Sequence, residues 1–321
     1  MSKMEYLKNL PVAVLGGGAV GKTCAADIKL AGREVRLYDV MPFAEKSLKD
    51  LDKTGILFDG IQRNRDCFER SGRAFIDVVT SDIEKAIKGA GHIVVSCGSW
   101  GHEAMFRAMI PYLEDGQVVN VFADNFGCLL LRRLMRELGC TKKVIVGGWS
   151  SAPYGTRLES IGKCVFPHVS AKYRAITLRG AALPMTDTDD FLEASKYLPC
   201  MDAVTNGDGP SKANTVLDVD FANVNPVIHV PATILGVSTM ENWGVIFGGH
   251  DKTTYSMYSH GLCPSICEVQ YQFYNEEIAL AEAIGVGTPK YKKEMFFSRR
   301  SVLTQEYMGL DENGNDNVVF P

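Results

Sequence analysis

Asn223-Val-Asn225-Pro226-Val-Ile-His229-Val-Pro231 sets one imidazole among two amides and two prolines. An unperturbed histidine ionises at about pH 6.5, so it can give and recover a proton near neutrality. A hydride added to a C=O or C=N carbon must be accompanied by such a proton. Asn223 and Asn225 carry donors and acceptors suited to orienting a substrate or a carboxamide, although the same amides could simply cap a helix. Pro226 and Pro231 restrict the backbone on either side of His229. A packed core histidine is the competing reading, and redox work needs a hydride carrier elsewhere in the chain.

The first half supplies that carrier's signature. Val12–Leu15 is a short apolar run, followed at once by Gly16-Gly17-Gly18-Ala19-Val20-Gly21. A helical pattern runs from about Val20 to Ala31 and stops at Gly32, and Glu34–Tyr38 resumes strand character before Asp39. Strand, glycine turn, helix, strand, acid is the order of a mononucleotide-binding unit. Gly16 permits the tight turn, Gly18 lets the backbone approach a pyrophosphate, and Gly21 allows close helix packing. Ala19 and Val20 open a helix whose free N–H groups face the phosphates. Lys22 follows, but the spacing of a Walker loop is absent. Asp39, 18 residues after Gly21, would accept both ribose hydroxyls and repel a 2′-phosphate. NAD is therefore expected, and NADP is not excluded because Arg33 and Arg36 stand nearby.

The alternation continues. Ser81-Asp-Ile-Glu84 has the form of a capping box, and Ile93–Ser96, Gln117–Phe122 and Val144–Gly147 extend a parallel series. Loops at the carboxyl ends of such strands carry ligands. That singles out Gly98-Ser99-Trp100-Gly101-His102, with Gly98 as a cofactor contact, and Ala123-Asp124-Asn125. His102 either contacts ligand or caps the next helix. Gly148–Arg157 then gathers Ser151, Tyr154 and Arg157 into one loop, and a guanidinium fits a carboxylate as a bidentate fork. A surface salt bridge is the alternative for Arg157. Residues 163–184 add β structure, and an Asp, Gly, Asn and Pro-rich stretch near 202–210 marks a boundary. The expected architecture is α/β: an N-terminal Rossmann-type doubly wound sheet over 1–204 and a C-terminal all-α catalytic domain over 205–321. Helical spacing is clearest in Ser265–Ile284, where Glu268, Glu276, Glu277 and Glu282 ride a polar face.

Two domains suit a chain of 321 residues, and 46% apolar with 22% charged residues is ordinary for a soluble globular protein. A net charge of −4 gives no general reason to bind nucleic acid or anionic membranes. No stretch approaches a membrane-spanning length, and the N-terminus enters a strand-like run without a signal-peptide pattern. A cytoplasmic protein, monomer or homodimer, is expected. The nine cysteines read as reduced thiols, and Cys263 and Cys267 lack a common zinc spacing, so no metal site is expected.

Taken together, Gly16-x-Gly18-x-x-Gly21, Pro153-Tyr154-x-x-Arg157 and Asn223-x-Asn225-Pro-x-x-His229 resemble the opine dehydrogenases, the octopine/nopaline dehydrogenase family. Tyr258-x-x-Gly261-x-x-Pro264-Ser265 fits that family's helical domain, and the resemblance spans most of the chain. It implies reductive condensation of an amino acid with a 2-oxo acid, the imine being reduced by NAD(P)H with His229 as acid/base. It also implies a C-terminal Arg-Tyr-x-x-Glu-Asp-like motif, whose acid partners the histidine and whose arginine holds a carboxylate. That motif is not found before Pro321. Either the sequence is shortened relative to a natural one, or Asp218, Asp220 or Glu241 orients His229 and Arg299 or Arg300 holds the carboxylate. Ser150-Ser151 stands where many members have Glu-Thr, which speaks against a basic amino acid as the amine.

Two alternatives remain. Ketopantoate reductases, 3-hydroxyacid dehydrogenases and glycerol-3-phosphate dehydrogenases share the architecture but use a lysine, often with asparagine four residues later. No lysine here has that asparagine, though Lys212 is available. The other is a non-catalytic NAD-binding regulatory protein.

Overall fold

The computed structural model describes residues 2–60, 70–159, 167–246, 248–249 and 254–297. Its strands are β1 (Val12–Leu15), β2 (Val35–Tyr38), β3 (Ile56–Gly60), β4 (Gly72–Ala74), β5 (Val78–Thr80), β6 (His92–Val95), β7 (Val118–Phe122), β8 (Ile145–Trp149), β9 (Tyr154–Glu159), β10 (His168–Arg174), β11 (Thr177–Ala182) and β12 (Gly209–Lys212). The long helices are α1 (Ala19–Leu30), α2 (Gly127–Glu137), α3 (Asn225–Glu241) and α4 (Pro264–Ala283). Every residue of β1, β6 and β7 is buried, the pattern of strands covered on both faces.

The main sheet has eight strands in the order β12-β11-β8-β7-β6-β1-β2-β5. From β5 through β8 all neighbours run parallel, and the winding reverses between β1 and β6. This is the doubly wound dinucleotide order, whose ligand crevice lies at the carboxyl ends of the strands flanking the reversal. β11 then turns antiparallel to β8 and carries β12 beside it.

Three local expectations meet different outcomes. Compact units meet at Asp220 and Phe221, and the polar stretch near 202–210, where the 204/205 boundary was expected, forms a short helix at Asp202–Thr205 and a turn into β12, entered at Gly209 with φ +84°. A second sheet, β4-β3-β10-β9, was legible only as β character in 163–184. Its strand β9 takes up Tyr154–Glu159, so Arg157 sits on a strand paired with Ser170 instead of in a loop. The short helix Ile83–Ile87 is capped by Asp82, whose carboxylate accepts the N–H groups of Glu84 and Lys85, one residue later than the Ser81 box.

α1 runs beside the second sheet through a buried charge. Asp27 is fully buried and accepts both guanidinium arms of Arg174 at 2.9 and 3.0 Å, Arg70 at 2.7 Å, and the Tyr154 hydroxyl. Burial alone would raise its pKa, but the guanidinium of Arg174, with Arg70, holds it below the usual carboxylate range.

In the unit beginning at Phe221, α3 starts with Pro226 in its first turn, where a missing N–H is harmless, and contains Pro231 in its interior. The buried Gln270 amide of α4 donates to the Ile228 carbonyl at 2.7 Å, joining the two helices next to that break. Val230, Ile234 and Leu235 of α3 and Val269 and Phe273 of α4 line an open groove of about 380 Å³. Among the described residues, no helix is long and apolar enough to cross a membrane.

Candidate active site

The glycine turn is built from backbone. Gly16 has φ +118° and donates to the Tyr38 carbonyl at 2.8 Å, so the chain leaves β1 in a conformation that L side chains rarely adopt. A Cβ at Gly21 would collide with the Gly16 carbonyl oxygen, so α1 approaches the turn as closely as only glycine permits. Gly18 is the N-cap of α1, with extended backbone and no side-chain cap, and a Cβ there would meet nothing within 4 Å. The first N–H groups of α1, around Ala19 and Val20, therefore open beside free space, which fits an anionic pyrophosphate.

Asp39 follows β2, with one carboxylate oxygen accepting the Val40 N–H at 2.9 Å and the other the Ser47 hydroxyl. Ser47 carried no signal in the sequence. Lys22 is buried, and its ammonium donates to the Gly17 carbonyl. Burial pulls its pKa down to about 8, against the opposing pull of Asp39. Gly98 caps a short turn at the end of β6, and Trp100 in that turn is exposed and packs against Phe43 with centroids 5.8 Å apart.

Other singled-out residues are structural in their visible contacts. Ser151 is buried just after β8, Tyr154 is committed to Asp27, and Arg157 is exposed and donates to the Thr156 carbonyl at 3.1 Å. His102 is buried, packs on Phe106, and has its pKa lowered by burial. Lys212, the rival catalytic lysine, lies exposed on β12 with its ammonium 2.6 Å from Asp189.

The 123–126 loop after β7 holds a different kind of group. Ala123, Asn125 and Phe126 have φ of 53°, 46° and 63°. The loop is pinned by two buried carboxyls: Asp124 accepts the Cys128 N–H and Asp220 the Phe126 N–H, each at 2.8 Å. One oxygen of each carboxyl, Asp124 Oδ2 and Asp220 Oδ2, is buried without a hydrogen-bond partner among the described residues. Burial pushes Asp124 up to about 6; burial and the neighbouring Asp124 push Asp220 up to about 9.

His229 lies one turn into α3, half-buried. Its Nδ1 is 2.9 Å from the Asn225 backbone carbonyl and its Nε2 is 2.6 Å from the Tyr258 hydroxyl. A carbonyl can only accept, so Nδ1 carries the hydrogen in the neutral ring and Nε2 is the bare nitrogen. The orienting acceptor sought among Asp218, Asp220 and Glu241 is thus filled at Nδ1 by the helix's own backbone. Asn223 is buried, and its side-chain carbonyl accepts the Asn225 backbone N–H at 3.1 Å and the Asn225 side-chain amide at 2.6 Å. The pair therefore shapes the entry to α3, where Val224 holds the N-cap position. Tyr258, 29 residues beyond His229, had no role readable from spacing.

Residues 212–307 match the family model described as NAD/NADP octopine/nopaline dehydrogenase, alpha-helical domain. An opine dehydrogenase of Arthrobacter sp. (strain 1C) is 29% identical over 280 residues, covering 86% of this chain and 68% of that protein. Two solved structures share the fold. Octopine dehydrogenase with NADH and L-arginine has a TM-score of 0.58 at 21% identity, covering 86% of this chain and 64% of that one. Apo yersinopine dehydrogenase has a TM-score of 0.66 at 14% identity, covering 92% and 68%. The chain thus spans about two thirds of the length of these relatives. Residues 212–307 are thus similar to the alpha-helical domain of that family, and 86% of the chain is similar to an opine dehydrogenase.

Proposed function

We propose that the protein is an NAD(P)-dependent dehydrogenase acting on CH–NH bonds, which condenses an amino acid with a 2-oxo acid and reduces the imine. The observation that carries this reading is His229: a half-buried imidazole with a fixed tautomer, on a long helix within the matched family domain. Gly16, Gly18 and Gly21 with the start of α1 would hold the pyrophosphate, Asp39 the adenosine ribose, and Gly98 the far wall of the crevice. The dinucleotide supplies the hydride when bound. His229 supplies and recovers the proton, and Asn225 orients the substrate from the first turn of α3. The buried Asn223 acts by fixing Asn225. Arg157 and Ser151 are assigned to substrate binding on the weaker ground of their chemistry.

NAD is preferred because Asp39 presents a carboxylate where a 2′-phosphate would sit. Arg33 does not offset this: its guanidinium is spent on the Leu7, Leu10 and Tyr197 carbonyls. Arg36 is tied to Glu34 and the Lys88 carbonyl. We assign the protein to the cytoplasm, as a monomer or homodimer.

The test is NADH oxidation by purified protein across mixtures of amino acids and 2-oxo acids. Wild-type protein and Lys212→Ala should turn over, and His229→Gln should not. Loss of turnover in Lys212→Ala with retention in His229→Gln would transfer the chemistry to the lysine-dependent dehydrogenases.

A further inference from the structure

We propose that Tyr258 is the group through which His229 exchanges its proton. This deepens the function proposed above and rests on it. Both ring nitrogens of His229 are taken within the helical unit: Nδ1 by the Asn225 carbonyl at 2.9 Å and Nε2 by the Tyr258 hydroxyl at 2.6 Å. The backbone carbonyl is a dead end for a proton, because it can only accept. The Tyr258 hydroxyl is the opposite. It donates to Nε2 when the ring is neutral and accepts from Nε2–H when the ring is charged, so it partners both states of the cycle.

The hydroxyl is placed by a built scaffold. Tyr258 lies on a single π-helical turn, Met257–Gly261, a geometry that recurs at functional sites. The turn is braced at both ends. The Ser256 N–H donates to His260 Nδ1 at 2.9 Å, and the His260 ring packs on Trp243 at 4.5 Å between centroids. Trp243 is itself fixed by its indole N–H, 2.9 Å from the Thr254 hydroxyl. A Cβ at Gly261 would collide with the Tyr255 hydroxyl, so the turn closes tightly. The Tyr258 ring stands edge-on to His229, at 84° with centroids 5.8 Å apart, and its hydroxyl lies 2.6 Å from Nε2.

The phenol O–H of Tyr258 breaks as its proton bonds to the imine nitrogen, and the Nε2–H bond of His229 breaks as that proton restores the phenol. The imine carbon gains its hydride from reduced nicotinamide dinucleotide, the reductant already assigned. His229 ends neutral with hydrogen on Nδ1, the tautomer the Asn225 carbonyl holds. Reprotonation of His229 from solvent resets the pair.

Tyr258→Phe removes one oxygen and leaves the ring to hold the turn. It should lower kcat about 10²-fold or more, as far as His229→Gln does, with the NADH dissociation constant and thermal midpoint unchanged. Independently of turnover, ¹⁵N spectra of histidine-labelled protein should show the His229 Nε2 resonance moving in Tyr258→Phe while Nδ1 stays protonated. An unmoved Nε2 resonance, or kcat within threefold of wild type in Tyr258→Phe while His229→Gln is inactive, overturns the relay alone. An active His229→Gln, or wild type with no turnover on any mixture, overturns the relay together with the function beneath it.

Discussion

The two units make their working parts from different material. In the sheet unit the binding hardware is backbone: a left-handed Gly16, a Gly21 without room for a side chain, and the open start of α1. Its determinants are local, six residues in a row. In the helical unit the hardware is side chain on side chain, His229 against Tyr258 across 29 residues of sequence. Backbone sites tolerate changes in their surroundings and fail when a glycine is lost. Side-chain sites fail at single atoms while the fold stands.

The largest expected effect breaks one half and spares the other. His229→Gln should lower kcat by about 10²- to 10⁴-fold, with NADH titrated by fluorescence binding as in wild type. Gly21→Ala should do the converse. Its new methyl meets the Gly16 carbonyl, which is backbone and cannot swing away, so binding should weaken by the equivalent of about 1–3 kcal/mol. Asp39→Asn removes the charge from the ribose contacts. Weaker binding by about 1.5 kcal/mol is expected for NADH, with NADPH less affected, read as a narrowed ratio of dissociation constants.

A pH series separates two kinds of buried carboxyl within the sheet unit. Asp27 is held ionised by Arg174 and Arg70, so its contribution is present above the unfolded carboxylate pKa of about 4 and is lost as the medium turns more acidic. Asp220 is raised to about 9, so the folded state holds a proton that the unfolded state releases. Its contribution is full below about pH 4 and is lost progressively as pH rises toward 9. Asp220→Asn should therefore gain stability relative to wild type as pH rises across that window, measured by urea midpoints at several pH values. A constant difference between the two proteins would show that Asp220 holds no proton that the unfolded state releases.

How much the sequence revealed follows the same division. The glycine turn, α1, β2 and Asp39 were readable because each needs only neighbouring residues and a fixed order. The second sheet was not, because β4 has three residues and β3 pairs with β10, more than a hundred positions away. Arg157 misled for a related reason: hydroxyls, proline and glycine near 150–155 suggest a loop, while the pairing with β10 decides a strand. At His229 the sequence found the imidazole and looked for a carboxylate to orient it. A helical residue at i−4 offered a carbonyl instead, visible only once α3 was known to begin at Asn225. Lys212 was left open by sequence, and its surface pairing with Asp189 makes it a poor candidate for proton transfer.

The central claim is condensation followed by imine reduction, and an omission experiment reads it most directly. Purified protein is given NADH with an amino acid and a 2-oxo acid, then with each alone, and products are weighed by mass spectrometry. NADH should be consumed only when both are present, with a product at the mass of their reduced condensate. Consumption with the 2-oxo acid alone, yielding a hydroxy acid, would contradict it.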